Sequence, residues 1–161
     1  MMENKSQQHD SMIPVTRPFL PPKAELDVHL DGIYARKWLT NDGPLVRELE
    51  SAVPRHLKSR DMSFVSNGTI ALQLAIRALE VHGEVITTPF SYVATTTSII
   101  WERCIPRFVD IDKNGFNIDP VKIEAAITEK TSAILATHCF GLPCDISEIQ
   151  NIANRYILVV I

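Results

Sequence analysis

An α/β domain built on a largely parallel sheet is the fold this sequence predicts, and three observations predict it. From residue 62 onward, short apolar runs alternate with stretches of helical period. Runs such as Glu84-Val85-Ile86-Thr87-Thr88 and Ala133-Ile134-Leu135-Ala136-Thr137 are almost continuously apolar or β-branched, as expected of strands buried on both faces. Helix-start chemistry recurs between the runs, with Asp119 ahead of Pro120 the clearest case. Alternation of this kind defines the α/β class.

Taken in order, residues 1–12 are polar and aperiodic, which predicts a disordered tail. Residues 13–22 carry Pro14, Pro18, Pro21 and Pro22, too many for a central strand or a helix, and are expected to lie extended across a surface. A helix is predicted over 23–35, followed by a loop with strong turn chemistry, Lys37-Trp38-Leu39-Thr40-Asn41-Asp42-Gly43-Pro44. Leu45, Leu49, Val53 and Leu57 fall on one face of a second helix, which Pro54 should kink or interrupt. These pieces form an N-terminal region, 13–61. The α/β region, 62–161, is predicted as strand 62–65, helix 69–81, strand 84–88, helix 92–103, strand 107–110, helix 120–127, strand 133–137, helix 147–155 and strand 158–161.

With 161 residues, 45% apolar and 22% charged, the chain can bury a proper core. Sixteen basic against nineteen acidic side chains give a net charge of -3, and the basic ones are scattered, so neither nucleic acid nor an anionic membrane is an expected partner. No apolar run approaches the roughly 20 residues a bilayer needs, and the N-terminus has no signal core; a cytoplasmic location is the expectation. Cys104, Cys139 and Cys144 lack the pairing density of a secreted scaffold. His138, Cys139 and Cys144 want a fourth ligand and a matching spacing for a metal site, so no metal is expected.

Ser66-Asn67-Gly68-Thr69 joins an apolar run to a helical pattern that begins at Ile70. A strand, a tight turn and a helix N-terminus present unpaired N–H groups and the positive end of the helix dipole to an anion. The same residues also make an ordinary capped βα turn. Ligands of open α/β sheets sit at the carboxyl ends of the strands. Four segments occupy such positions: 66–69, Pro89-Phe90-Ser91-Tyr92, Asp110-Ile111-Asp112 and His138-Cys139-Phe140-Gly141. An anion cradle, an aromatic ring and a histidine on one rim would suit a phosphate-bearing ring.

From about Ile13 to Ile161 the sequence resembles the DegT/DnrJ/EryC1/StrS family of pyridoxal-phosphate-dependent sugar aminotransferases. The resemblance rests on the order and spacing of several segments. They are Trp38-Leu39-Thr40-Asn41-Asp42-Gly43-Pro44, Ser66-Asn67-Gly68-Thr69-Ile70-Ala71-Leu72, Glu84-Val85-Ile86-Thr87-Thr88-Pro89, Phe108-Val109-Asp110-Ile111-Asp112 with Asn117-Ile118-Asp119-Pro120, and His138-Cys139-Phe140-Gly141-Leu142-Pro143-Cys144-Asp145. It implies a fold-type-I large domain in a homodimer. It further implies amino transfer from glutamate to a nucleotide-linked keto-deoxysugar for O-antigen or other surface polysaccharide. By resemblance, Gly68 and Thr69 bind the cofactor phosphate, with Asn67 beside them, and Tyr92 stacks on the pyridine ring. Tyr92 also reads as a core or rim aromatic, and His138 reads equally as a contact group, as a residue that supports one from behind, or as a satisfied core histidine. The 38–44 loop resembles one near the sugar nucleotide or the dimer partner, though turn chemistry alone explains it.

The resemblance also implies two groups that this sequence does not supply, a Schiff-base lysine and an aspartate paired with the pyridinium nitrogen. Both are expected beyond Ile161, so no catalytic residue is assigned. The chain is therefore expected to be the N-terminal portion of a transaminase, with an incomplete domain and no turnover by itself. The competing readings are a non-catalytic phosphate- or cofactor-binding module and a nonfunctional remnant.

Overall fold

Four parallel strands, β1 (Glu84–Thr87), β2 (Ile105–Phe108), β3 (Thr131–Ile134) and β4 (Val159–Val160), lie in the order β2-β1-β3-β4 and organise the second half of the chain. The computed structural model describes residues 15–161; the tail expected over 1–12, and Ile13 and Pro14, lie outside the described residues. The chain divides into two compact units, the first ending at Met62 and the second running Ser63–Ile161.

In the first unit, α1 (Lys23–Arg36) and α2 (Pro44–Leu57) flank the predicted turn. The Arg47 guanidinium donates from Nε to the Asp42 carboxylate and carbonyl at 3.0 Å and lies 5.4 Å from the centre of the Trp38 ring. Turn chemistry and a cation over an aromatic face therefore account for the shape of the 38–44 loop. Pro54 neither ends nor interrupts α2, contrary to expectation. It stands in the last turn, with three residues following it before the helix ends at Leu57. Lys58 then takes a left-handed conformation. Val15, Phe19, Leu20, Leu39 and Tyr34 are all exposed.

The second unit contains α3 (Gly68–Ala78), β1 (Glu84–Thr87), α4 (Val93–Trp101), β2 (Ile105–Phe108), α5 (Pro120–Ala126), β3 (Thr131–Ile134), α6 (Ile146–Tyr156) and β4 (Val159–Val160). Pleating sends alternate residues to opposite faces, and two cores result. Val85, Ala133 and Leu135 pack with Ile76 of α3, Ile99 of α4 and Cys104 on one face. Ile86 and Ile134 pack with Ile123 of α5 and Ile149, Ile152 and Ala153 of α6 on the other. This is the three-layer arrangement expected of a parallel sheet.

Four expectations for this unit need correction, the first being the strand expected over 133–137, which pairs with β1 over Thr131–Ile134 instead. Residues 62–65 form no strand, and Phe64 is 53% exposed. An apolar run becomes a strand only with a ladder partner; both sides of β1 are taken by β2 and β3, and none of the described strands pairs with 62–65. The strand expected over 107–110 runs Ile105–Phe108 instead, in register Glu84↔Ile105 through Thr87↔Phe108. Pro106 is tolerated there because β2 is an edge strand, and for the same reason β2 is not buried on both faces. Helix α3 ends at Ala78 rather than 81, because Glu80 turns left-handed and the Val81 N–H returns to the Ile76 carbonyl.

Candidate active site

The start of α3 is built for an accepting group. Asn67 caps the helix, its Oδ1 accepting the Ile70 N–H at 3.0 Å, and the first intrahelical bond is Ala71 N–H to the Asn67 carbonyl at 3.1 Å. The Gly68 and Thr69 N–H groups precede that bond, so helix geometry gives them no partner. A Cβ placed on Gly68 would meet nothing within 4 Å, so the space over this turn is open.

Tyr92 is the residue immediately before α4 and is 79% exposed. Two side chains fix its position relative to the turn. Ser98, fully buried in α4, donates to the Thr69 carbonyl at 3.4 Å, and Ser91 bonds the buried Thr95 one turn into the helix. Asn67, Gly68, Thr69, Tyr92 and Thr95 consequently share one cleft of about 760 Å³.

Tyr92 is also the wall of a second cleft of about 400 Å³, formed with Phe90, His138 and Phe140. His138 is exposed, and its Nδ1 accepts the Cys144 N–H at 3.0 Å. It introduces a 3-10 turn, Cys139–Gly141, in which Phe140 is left-handed at φ 54°. Phe140 packs edge-on against Phe116 at 5.4 Å and Phe90 at 6.3 Å. Cys139 and Cys144 are buried. Burial foremost, then the neighbouring Cys139, pushes the Cys144 thiol up.

Of the four segments expected on one rim, the structure brings together those at 67–69, 89–92 and 138–140 through the shared Tyr92. Asp110 and Asp112 are engaged elsewhere. Asp110 Oδ1 accepts the Ile111 N–H, and Asp112 Oδ1 accepts that of Asn114 at 2.7 Å, shaping the turn closed by the Ile111–Ile118 bridge. Ser98 and Asn117 were not singled out by sequence. A small polar residue between apolar neighbours in α4, and an amide between Phe116 and Ile118, were the available signals. Among the described residues no lysine lines either cleft, and no cluster of three metal-ligating side chains occurs.

Comparison with known proteins fits this arrangement. The chain is 52% identical over 153 residues to the dTDP-4-amino-4,6-dideoxy-D-glucose transaminase of Escherichia coli, covering 95% of this chain and 41% of that protein. The structure superimposes on crystalline DesI, studied in the presence of its TDP-sugar product, with a TM-score of 0.87 and 35% identity, covering 94% of this chain and 38% of DesI. NtdA from Bacillus subtilis with bound cofactor PMP gives a TM-score of 0.79 at 32% identity, over 93% of this chain and 37% of that one. The chain thus spans about two fifths of the length of the relatives it matches. A model of the DegT/DnrJ/EryC1/StrS aminotransferase family matches residues 23–161, and the chain belongs to that family.

Proposed function

We propose that this chain supplies the phosphate-binding and ring-covering part of a pyridoxal-phosphate-dependent transaminase of nucleotide-linked keto-deoxysugars, serving surface polysaccharide synthesis with glutamate as amino donor. The observation that carries the reading is the shared cleft, with open N–H groups at Gly68 and Thr69 on one side and the exposed Tyr92 ring on the other. The donor set fits the group. Amides at a helix start suit a dianionic phosphate, and the space over Gly68 leaves room for its oxygens.

In this reading the Gly68 and Thr69 amides anchor the phosphate, while Asn67 keeps the turn open by capping Ile70 rather than filling the cradle. Tyr92 offers a flat face that holds a conjugated ring yet lets it tilt. His138 lines the neighbouring cleft that shares Tyr92, where its ring would be available to hydrogen-bond a bound molecule. When bound, pyridoxal phosphate supplies an electron-withdrawing ring through which an amino group passes between donor and acceptor. Since no lysine lines the clefts among the described residues, the chain by itself binds the cofactor reversibly and does not turn over. The relatives' substrates, a dTDP-amino sugar for one and a TDP-sugar for another, support the nucleotide-sugar class. The α/β region, 62–161, is then the part that carries the site, and the homodimer is the assembly expected around it.

Titration of the purified chain with pyridoxal phosphate tests this. Expected is saturable binding that inorganic phosphate competes away, that Tyr92→Ala weakens by roughly two- to ten-fold, and that borohydride does not convert to a single labelled lysine. Binding indifferent to both phosphate and Tyr92→Ala refutes it.

A further inference from the structure

One side chain ties a neighbouring turn to a loop of the rim. Asn117 lies in the turn closed by the Ile111–Ile118 bridge. Its Oδ1 accepts the Cys139 N–H at 3.0 Å, and its Nδ2 donates to the carbonyls of Leu142 at 3.1 Å and Pro143 at 2.9 Å. A primary amide offers two donors and an acceptor, and here all are committed to one loop more than twenty residues away. Phe116, next to it, holds the same loop through the Phe140 ring.

The held loop ends where it acts on His138. The Cys144 N–H donates to His138 Nδ1, and the Cys144 thiol to the Thr137 carbonyl at 3.2 Å. A ring nitrogen that accepts carries no proton, so the neutral imidazole has its hydrogen on Nε2. His138 is exposed and lines the cleft bounded by Tyr92.

We propose that Asn117 is a positioning residue that locks the 138–144 loop and so presents His138 to the cleft as an Nε2–H donor of fixed tautomer, suited to an anionic or carbonyl oxygen of the bound molecule. The proposal rests on reading that cleft as the active site. Asn117→Asp keeps the acceptor for Cys139 but turns a carboxylate toward two carbonyl oxygens; Asn117→Ala removes all three bonds.

Long-range proton–nitrogen NMR of the full ¹⁵N-labelled chain, without cofactor and at about pH 8, above the ordinary imidazole range, reads the tautomer directly. The wild type is expected as the Nε2–H form alone. Both variants are expected to show mixed tautomers and exchange of the Cys139 and Cys144 amides faster by about ten-fold, with the amides of α6 unmoved. Variants that keep the single tautomer and wild-type exchange overturn the proposal. Where a variant loses its fold, the wild type decides: a protected Cys139 amide with a single tautomer supports the proposal, and the absence of either overturns it. Because the readout needs no cofactor, failure of pyridoxal phosphate to bind would refute the functional reading separately.

Discussion

Gly83 and Lys130 approach so closely that no side chain fits between them. A Cβ on Gly83 would stand 2.4 Å from the Lys130 carbonyl oxygen, and Gly83 is left-handed at φ +69°. The same carbonyl accepts the Glu84 N–H, and the Gly83 carbonyl accepts that of Ile105, each at 2.8 Å, so both neighbours of β1 are registered at this point. Gly83→Ala combines backbone strain with a clash against main chain. It is expected to destabilise by about 2–4 kcal/mol, measured as a lower midpoint in urea.

The reverse substitution is favourable at the end of α6. Ile157 is a β-branched residue at φ 55° with its side chain 92% exposed, so it bears a left-handed penalty and gains little burial. Ile157→Gly is expected to raise stability by about 0.5–1 kcal/mol. A fall in the thermal midpoint would contradict this.

Two aspartates cap helices. Asp119 Oδ1 accepts the Val121 N–H and Asp145 Oδ1 that of Glu148, both at 3.0 Å. Alanine at either position should cost about 1 kcal/mol, and the double variant should be close to additive because the caps share no partner.

Arg155 joins α6 to α5 through Glu124, Nη2 to Oε1 at 2.7 Å, with Tyr156 OH adding a bond at 3.2 Å. The bond from Arg155 lowers the Glu124 carboxyl below its ordinary value and raises the guanidinium. A depressed carboxylate contributes stability that is present above the unfolded value of about 4.3 and lost as pH falls through the folded value. Glu124→Gln should therefore lose that contribution at neutral pH and converge on the wild type in acid, which flattens the acid limb of the stability curve; the neutral loss is small, since the pair is exposed and salt-screened. An acid limb as steep as the wild type's would exclude the linkage.

The helices were legible in sequence because their signals are local. Asp119-Pro120 sits where a cap must sit and opens α5 as expected, while α6 begins at Ile146, one residue before the predicted start. The strands were legible as apolar runs, but their limits were not, since pairing decides them. Residues 62–65 have strand composition without a partner, while Ile105 and Pro106 acquire strand geometry from β1. The site divided in the same way. Gly68, Thr69 and Tyr92 stand beside helix starts that sequence marks, whereas Asn117 acts across more than twenty residues through hydrogen bonds that no spacing encodes.

The three cysteines occupy three different places in this architecture. Cys104 lies in the layer beneath α3 and α4, Cys144 in the layer beneath α5 and α6, and Cys139 in the loop that carries His138. All are free thiols and buried, and burial pushes Cys104 and Cys144 up, leaving little of the nucleophilic thiolate in the closed chain. Alkylation kinetics resolved cysteine by cysteine would thus time the opening of each face of the sheet and of the rim separately, giving the molecule three built-in clocks for its own unfolding.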